Sequence, residues 1–570
     1  MTFNLSVEQP SLPGMCAISD AVDKLARDAD HSERGAVFTR REVVDFMLDL
    51  AGYTADRPLY RMRLLEPSFG GGEFLLAAAA RLLDAFASAK GGAEEPAIDL
   101  ANCIRAVELH GSTYRQTRNL IVGLLEQAGM APAESRRVVD AWLVQGDFLL
   151  AALPGKFDVV VGNPPYVRQE LIPAPLLAEY RRRYASLYDR ADLYVPFIER
   201  SLGLLAEGGQ FAFICADRWT KNRYGGPLRA MVAKCFHLRA YVNMVDTPAF
   251  DTDVIAYPAI TLIARAAPGP TLVAQQPSLA AAALSKLAAT LRNGRACSEA
   301  GVAMVEQAGI GAEPWVLTSS GKRALLRRLE GRFPSLEDCG CKVGIGVATG
   351  ADKAFIGTMA ELDVEPSRKL PLVTTKDIAS GQVRWLGLGV VNPFEDDGRL
   401  ADLARYPMLR AHLERHRGAI AGRHVAQKSP ANWYRTIDRI TPSLAAQPKL
   451  LIPDIKGSAH VVFEGGALYP HHNLYVVVSQ EWELRALQGV LLSNVAHQFV
   501  AAYSTTMRGG FLRFQAQYLR RICLPRWATV SEAMRARLAG AAVALDIAAC
   551  DDAACELYGL SSDEAALLAR

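Results

Sequence analysis

The chain has 570 residues, of which 50% are hydrophobic and 22% charged, with a formal net charge of +3. That length exceeds one ordinary domain, and the composition is that of a globular chain able to bury more than one core. Nowhere does an apolar run reach the roughly 20 residues of a membrane span, and the start, MTFNLSVEQPSLPG, lacks the basic and apolar blocks of a secretory signal, so a cytoplasmic protein with no membrane partner is expected. The ten cysteines are scattered from Cys16 to Cys555 without paired ligand spacing and read as reduced thiols, with no metal expected. Charge is unevenly spread: Ala401 to Lys456 carries ten Lys or Arg against four Asp or Glu, which suits a polyanionic partner.

In chain order, REVVDFMLDLAGY after Thr39 places Val43, Val44, Met47 and Leu48 at helical spacing, closed by Gly52. RLLEPSFGGGEFLLAAAARLLDAF then reads as a short strand, a glycine turn and a long helix. IRAVELH is a strand, TYRQTRNLIVGLLEQAG a helix, and AWLVQGDFL and FDVVVGNPPYV are strands with their loops. LYVPFIERSLGLLAEGG continues as a helix and QFAFICAD as a strand. This alternation predicts an α/β domain with a mostly parallel sheet, helices on both faces and ligands at the carboxyl ends of the strands. From Pro268 to Pro314 the composition turns to alanine, glycine and proline and reads as a spacer, and a mixed α and β domain begins near Trp315.

Three strand ends carry acids. Glu66-Pro67-Ser68-Phe69-Gly70-Gly71-Gly72-Glu73-Phe74 joins strand to helix through three glycines, which lets backbone approach a ligand at a helix N-terminus. No Gly-Lys-Ser/Thr follows, so it is not a phosphate-binding P-loop. Glu108 ends the next strand, where an acid accepts from ribose hydroxyls. Asp147 ends the third, placed to accept from an adenine amino group, with Phe148 against the ring.

Asn163-Pro164-Pro165-Tyr166 follows the strand FDVVVG. Two prolines hold extended backbone whose carbonyls stay free of a ladder, Asn163 adds an amide oxygen and Tyr166 an aromatic face. An exocyclic amine on a base is a poor nucleophile because its lone pair is delocalised. Accepting its hydrogens on the Asn163 side chain and the Pro164 carbonyl returns density to nitrogen, so positioning and electrostatics supply the catalysis.

In these motifs and their order, from about Gly35 to Arg265, the chain resembles the gamma-group, TaqI-like DNA amino-methyltransferases of restriction-modification systems. Gly35-Ala36-Val37-Phe38-Thr39 is similar to the family's first cofactor motif, although Arg40 stands where the family usually has proline. The resemblance implies a Rossmann-like class I S-adenosylmethionine-dependent methyltransferase domain followed by a mixed α+β target recognition domain. The implied cofactor is S-adenosyl-L-methionine, expected to be held by Thr39, Glu66, Pro67, Gly70, Gly72, Phe74, Glu108, Asp147, Phe148, Asn163, Pro165 and Phe197. Asn163, Pro164 and Tyr166 are the expected catalytic residues for N6 of a flipped-out adenine in double-stranded DNA. The resemblance implies that Tyr166 stacks on one face of the base; Phe250 is the expected aromatic on the other, with Tyr257 as the rival.

The expected layout is an N-terminal extension at 1–34, a catalytic domain at 35–267, a spacer at 268–314, target recognition at 315–530 and a helical segment at 531–570. The basic segment Gln169 to Asp192 is expected to contact phosphates and to order on binding, and Trp433-Tyr434-Arg435 and Arg508-Gly509-Gly510-Phe511 interleave basic and aromatic residues as DNA contacts do. Gly344-Ile345-Gly346-Val347-Ala348-Thr349-Gly350 lacks a following helix and acid and reads as a loop beside a strand. About 34 residues before the first motif leave no room for a nuclease domain, so a separately encoded restriction endonuclease or defence-system subunit is the expected partner. Alternatives are N4-cytosine methylation, a protein-glutamine or RNA methyltransferase, and an inactive DNA-binding scaffold.

Overall fold

The computed structural model describes residues 17–27, 37–89, 96–252, 257–306, 311–317, 320–457, 459–504 and 511–568. Gly35 and Ala36 of the first motif, residues 253–256 after Phe250, and Arg508 to Gly510 lie outside them. The chain divides into two compact units, Met1–Ser320 and Gly321–Arg570.

The first unit is built on a nine-stranded sheet. Its strands are β1 (Leu64–Glu66), β2 (Ile104–Glu108), β3 (Leu143–Gln145), β4 (Phe157–Gly162), β5 (Leu205–Ala216), β6 (His237–Asn243), β7 (Pro258–Ala264), β8 (Thr271–Gln275) and β9 (Val302–Val305). They lie in the order β3-β2-β1-β4-β5-β7-β6-β8-β9. β3, β2, β1, β4 and β5 run parallel to their neighbours, and β7 lies antiparallel between β5 and β6. The helices are α1 (Ala17–Arg27), α2 (Arg41–Leu50), α3 (Glu73–Ser88), α4 (Pro96–Leu100), α5 (Gly111–Gln127), α6 (Pro132–Trp142), α7 (Ala174–Arg183), α8 (Tyr194–Gly203), α9 (Gly226–Cys235) and α10 (Ala281–Arg292).

Strand periodicity explains the two-sided burial. Val159 and Val161 of β4 face a core shared with Val43 and Met47 of α2, Leu75 and Ala78 of α3, and Leu287 of α10. Val160 faces the opposite core, with Leu176 and Tyr180 of α7 and Ile198 of α8. A strand buried on both faces has no polar positions to give, hence the apolar run Val159-Val160-Val161 after Asp158, the one partly exposed position of the strand.

Two boundaries differ from the sequence reading. Residues 268–314 are not a spacer: β8 pairs with β6, β9 pairs with β8, and α10 packs its Leu284, Leu287 and Leu291 into the core. These strands are only five and four residues long, and flanking glycine, proline and alanine conceal them. Trp315 belongs to the first unit. Its N–H donates to the Thr220 carbonyl at 2.8 Å, and its ring meets Trp219 edge-on at 5.1 Å.

The second unit holds two four-stranded sheets with helices. One sheet orders Cys341–Ile345, Leu474–Ser479, Lys449–Pro453 and Val462–Glu464; the other orders Ile356–Thr358, Leu388–Val391, Lys369–Val373 and Tyr469–Pro470. The helices Glu532–Ala544 and Ile547–Tyr558, within the expected helical segment 531–570, belong to this unit. Gly489, in the helix Leu484–Leu492, lies so close to Leu538 that a Cβ there would sit 2.6 Å from its carbonyl oxygen. Trp433 and Tyr434 of the interleaved segment are partly buried against a core of this unit, and Arg417 lies over the Trp433 ring at 4.8 Å.

Candidate active site

β1 is flanked by β2 on one side and β4 on the other, which makes its carboxyl end the point where the chain reverses its direction of travel across the sheet. Crevices form there because the connections leave in opposite directions. Along this edge the strand order sets Asp147, Glu108, Glu66 and Asn163 side by side, although the sequence reaches them in another order. A cleft of about 570 Å³ opens above them. Of the residues expected from the sequence, Thr39, Glu66, Pro67, Gly70, Phe74, Glu108, Asp147, Phe148, Asn163, Pro165 and Phe197 line it. Gly72, Pro164, Tyr166 and Phe250 do not.

Gly72 acts on the backbone. Its φ of +92 caps α3 in the left-handed region, and a Cβ would stand 2.7 Å from Thr117 Cγ2. The Thr117 hydroxyl donates to the Gly70 carbonyl at 2.8 Å, tying the glycine turn to α5. Glu108 accepts from Gly70 N at 3.0 Å and from His110 N at 2.8 Å, so one carboxylate fixes the turn and faces the cleft. Glu66 is 1% exposed and its Oε2 is buried without a partner. Burial, then the nearby Glu73 and Glu108, holds its carboxyl well above the ordinary carboxylate range.

Asp147 is held from both sides. Leu149 N donates to Oδ1 at 2.7 Å and the Tyr180 hydroxyl donates to Oδ2. Burial raises its pKa, opposed by these bonds. Phe148 and Phe197 meet with centroids 5.0 Å apart and form an aromatic wall beside it. Tyr180 was not legible from sequence, because only the fold of α7 back over the strand edge brings it there. Within the basic segment Gln169 to Asp192, expected to order on binding, Ala174–Arg183 is already helical as α7, with Leu176 and Tyr180 buried and Arg182 and Arg183 paired with Glu179. From the N-terminal extension, Lys24 and Leu25 of α1 also reach the cleft, and His110 Nδ1 donates to the Ala26 carbonyl at 3.0 Å.

Asn163 is the best-defined side chain. Its Nδ2 donates to the Val37 carbonyl at 2.8 Å and to Thr39 Oγ1 at 3.2 Å. A carbonyl can only accept, so the amide orientation is fixed: both N–H groups point to the first motif. Oδ1 is left buried with no partner. Tyr166 packs by Tyr194 at 6.4 Å between centroids, and its hydroxyl is buried without a partner.

Phe250 is 7% exposed and pairs through its backbone with Thr39. Asp251 N donates to the Phe38 carbonyl at 3.1 Å and Arg40 N to the Ala249 carbonyl at 3.0 Å. The Arg40 Nε adds a bond to the Phe250 carbonyl at 3.0 Å. Arg40 therefore holds the segment bearing Phe250 at two points, neither of which a proline, lacking both the N–H and the guanidinium, could make. Tyr257, the rival aromatic, lies instead beneath the Arg218 guanidinium at 5.2 Å.

The model of the Eco57I restriction-modification methylase family matches residues 116–250, and that of the TaqI-like C-terminal specificity domain matches residues 414–524. The chain is 61% identical to the Type II methyltransferase M.PaeR7I of Pseudomonas aeruginosa, over 100% of this chain and 99% of that protein. It belongs to the Type II methyltransferases. The methyltransferase is also 54% identical to M.XhoI of Xanthomonas vasicola, over 94% of this chain and 99% of the relative. Among solved structures it shares a fold with the Type IIL restriction-modification enzyme MmeI in complex with DNA, at a TM-score of 0.61 and 12% identity, covering 93% of this chain and 76% of that one. The Rossmann-like, mostly parallel catalytic sheet and the C-terminal specificity domain thus agree with the family as well as with the residue pattern.

Proposed function

We propose that this Type II methyltransferase binds S-adenosylmethionine in the cleft of the first unit and methylates N6 of an adenine flipped out of duplex DNA. The observation that carries the reading is Asn163: its amide N–H groups are spent on Val37 and Thr39, and its Oδ1 is buried and free beside the cleft. A buried acceptor with no donor costs free energy, which the incoming amine recovers.

When bound, the cofactor supplies a methyl group activated by its sulfonium. The residues present suit it: Glu108 for ribose hydroxyls, Asp147 with Phe148 and Phe197 for adenine, and the unpartnered Glu66 Oε2 for the amino-acid end. Asn163 Oδ1 and the Pro164 carbonyl accept the two hydrogens of the target amine, so its lone pair is turned toward the reacting carbon. Tyr166 stacks on one face of the base. Phe250 closes the other, held at the first motif by Thr39 and Arg40. In the second unit, the basic and aromatic segments supply backbone and base-edge contacts. A separately encoded endonuclease remains the expected partner, and the site of action is the cytoplasm; no helix among the described residues is long and apolar enough to cross a membrane.

The test is sequencing of DNA from a host expressing the chain, with a method that distinguishes N6-methyladenine from N4-methylcytosine. Adenine marks at one sequence support the proposal, N4-cytosine marks replace the substrate, and unmarked DNA from soluble protein overturns it. In the same host Asn163→Ala should erase the marks while cofactor binding, followed by calorimetry, persists.

A further inference from the structure

The segment Gly344 to Gly350, read from the sequence as a loop, begins as the last two residues of the strand Cys341–Ile345 and runs on as a loop; it has no part in the cleft of the first unit, yet it is built closely onto a histidine pair. Gly346 lies against residues 470 and 471 so tightly that a Cβ would stand 2.2 Å from the His471 carbonyl oxygen and 2.3 Å from that of Pro470. Val347 pairs with His471, and His472 N donates to the Val347 carbonyl at 3.0 Å. The loop then delivers Asp352 to the two imidazoles.

His471 is 8% exposed, and its ring lies 4.1 Å from that of His472 between centroids. The Nδ1 atoms of both histidines are buried without a hydrogen-bond partner. The Nε2 of His471 faces Asp352 Oδ2 at 3.6 Å, too far for a good hydrogen bond. A buried imidazole with neither nitrogen well satisfied is costly.

One ligand atom from each of Asp352, His471 and His472 lies within 4.8 Å of the other two. Two ligands on one tetrahedral ion, each bonded at about 2.0–2.1 Å, stand about 3.3 Å apart, close to the 3.6 Å found between His471 and Asp352. The carboxylate is itself oriented, since the Thr349 hydroxyl donates to Asp352 Oδ1 at 2.5 Å. We propose that Asp352, His471 and His472 form a binding site for a divalent transition ion of the zinc class, which fastens the loop Gly346 to Gly350 to the strand turn at His471. Two imidazoles and one carboxylate match zinc or cobalt and leave a fourth position for water. Calcium and magnesium, which take oxygen ligands, do not fit this donor set.

The test uses the untagged full chain, stripped with chelator and titrated with cobalt(II) and zinc(II). The expected result is about one ion per chain, a visible cobalt spectrum of low coordination number displaced by zinc, and a higher melting temperature with metal. His472→Gln, at a half-buried position, should weaken binding by at least about tenfold with the fold retained by circular dichroism, and Asp352→Asn should do so to a similar degree. Absence of the cobalt spectrum, or equal affinity in wild type and both variants, overturns the proposal. Neither readout depends on methyl transfer.

Discussion

Thr39→Val isolates the positioning of Asn163. Thr39 is 3% exposed, and valine keeps its branched shape while removing the oxygen that receives Asn163 Nδ2 at 3.2 Å. The shorter bond to the Val37 carbonyl, 2.8 Å, stays, so the amide still points its Oδ1 at the cleft but through one tether instead of two. A net hydrogen bond contributes about 0.5–1.5 kcal/mol, which corresponds to roughly a 2- to 12-fold fall in kcat if its whole effect is to hold the reactive orientation. Asn163→Ala removes the acceptor itself, and losses of about 10²–10³ are usual when a preorganised partner of the reacting group is deleted. The assay is single-turnover methylation of a duplex at saturating cofactor, paired with calorimetric binding of S-adenosylmethionine. The expected pattern is a small fall in rate with unchanged cofactor affinity. A rise in cofactor Kd at unaltered rate would refute it, as would a loss equal to that of Asn163→Ala.

Three further outcomes are expected. Arg40→Ala keeps the backbone bond to Ala249 and loses the side-chain bond to the Phe250 carbonyl, so kcat/KM for duplex should drop about fivefold, the equivalent of about 1 kcal/mol; a fall confined to cofactor binding argues against the clamp. Glu66 has a folded-state pKa above its ordinary 4.5, so its cost to stability is absent below that pH and grows as pH rises toward the raised value; Glu66→Gln should therefore raise the melting temperature of the cofactor-free protein at pH 8 and not at pH 4, and an equal rise at both is the contrary result. Lys449 and Glu464 form a pair in the second unit with side chains 0% and 3% exposed, so Lys449→Met leaves the buried Glu464 carboxylate with its backbone donors Gly466 N and Ala467 N but no counter-charge, and should cost about 3–5 kcal/mol in denaturant titration, where a change below about 1 kcal/mol would contradict the buried-pair reading.

The acids and glycines of the cleft were legible because each ends a parallel strand, and a strand end is announced by the apolar run before it. Asn163 was legible through its prolines. What holds these groups was hidden: the Val37 carbonyl, the Tyr180 hydroxyl and the Ala26 carbonyl act on residues 126, 33 and 84 positions away in the chain. No local pattern encodes a partner at such distance. The last two strands, β8 and the edge strand β9, were hidden for a different reason, since four or five residues set among alanine and glycine carry too little alternation to stand out. Leu25 was a recoverable omission, because Ala21, Val22 and Leu25 of α1 recur at helical spacing.

The pairing of Thr39 with Phe250 joins the opening of the catalytic unit to a strand connection near its far end, and α2 rests on α10 in the same neighbourhood. The polypeptide thus comes back to where it set out. Seen in that way, the order in which cofactor, acid and amide motifs occur along the gene is a matter of where the loop of chain is cut. A permuted protein that places residues 37–50 after β9 would carry the same neighbours around the same cleft.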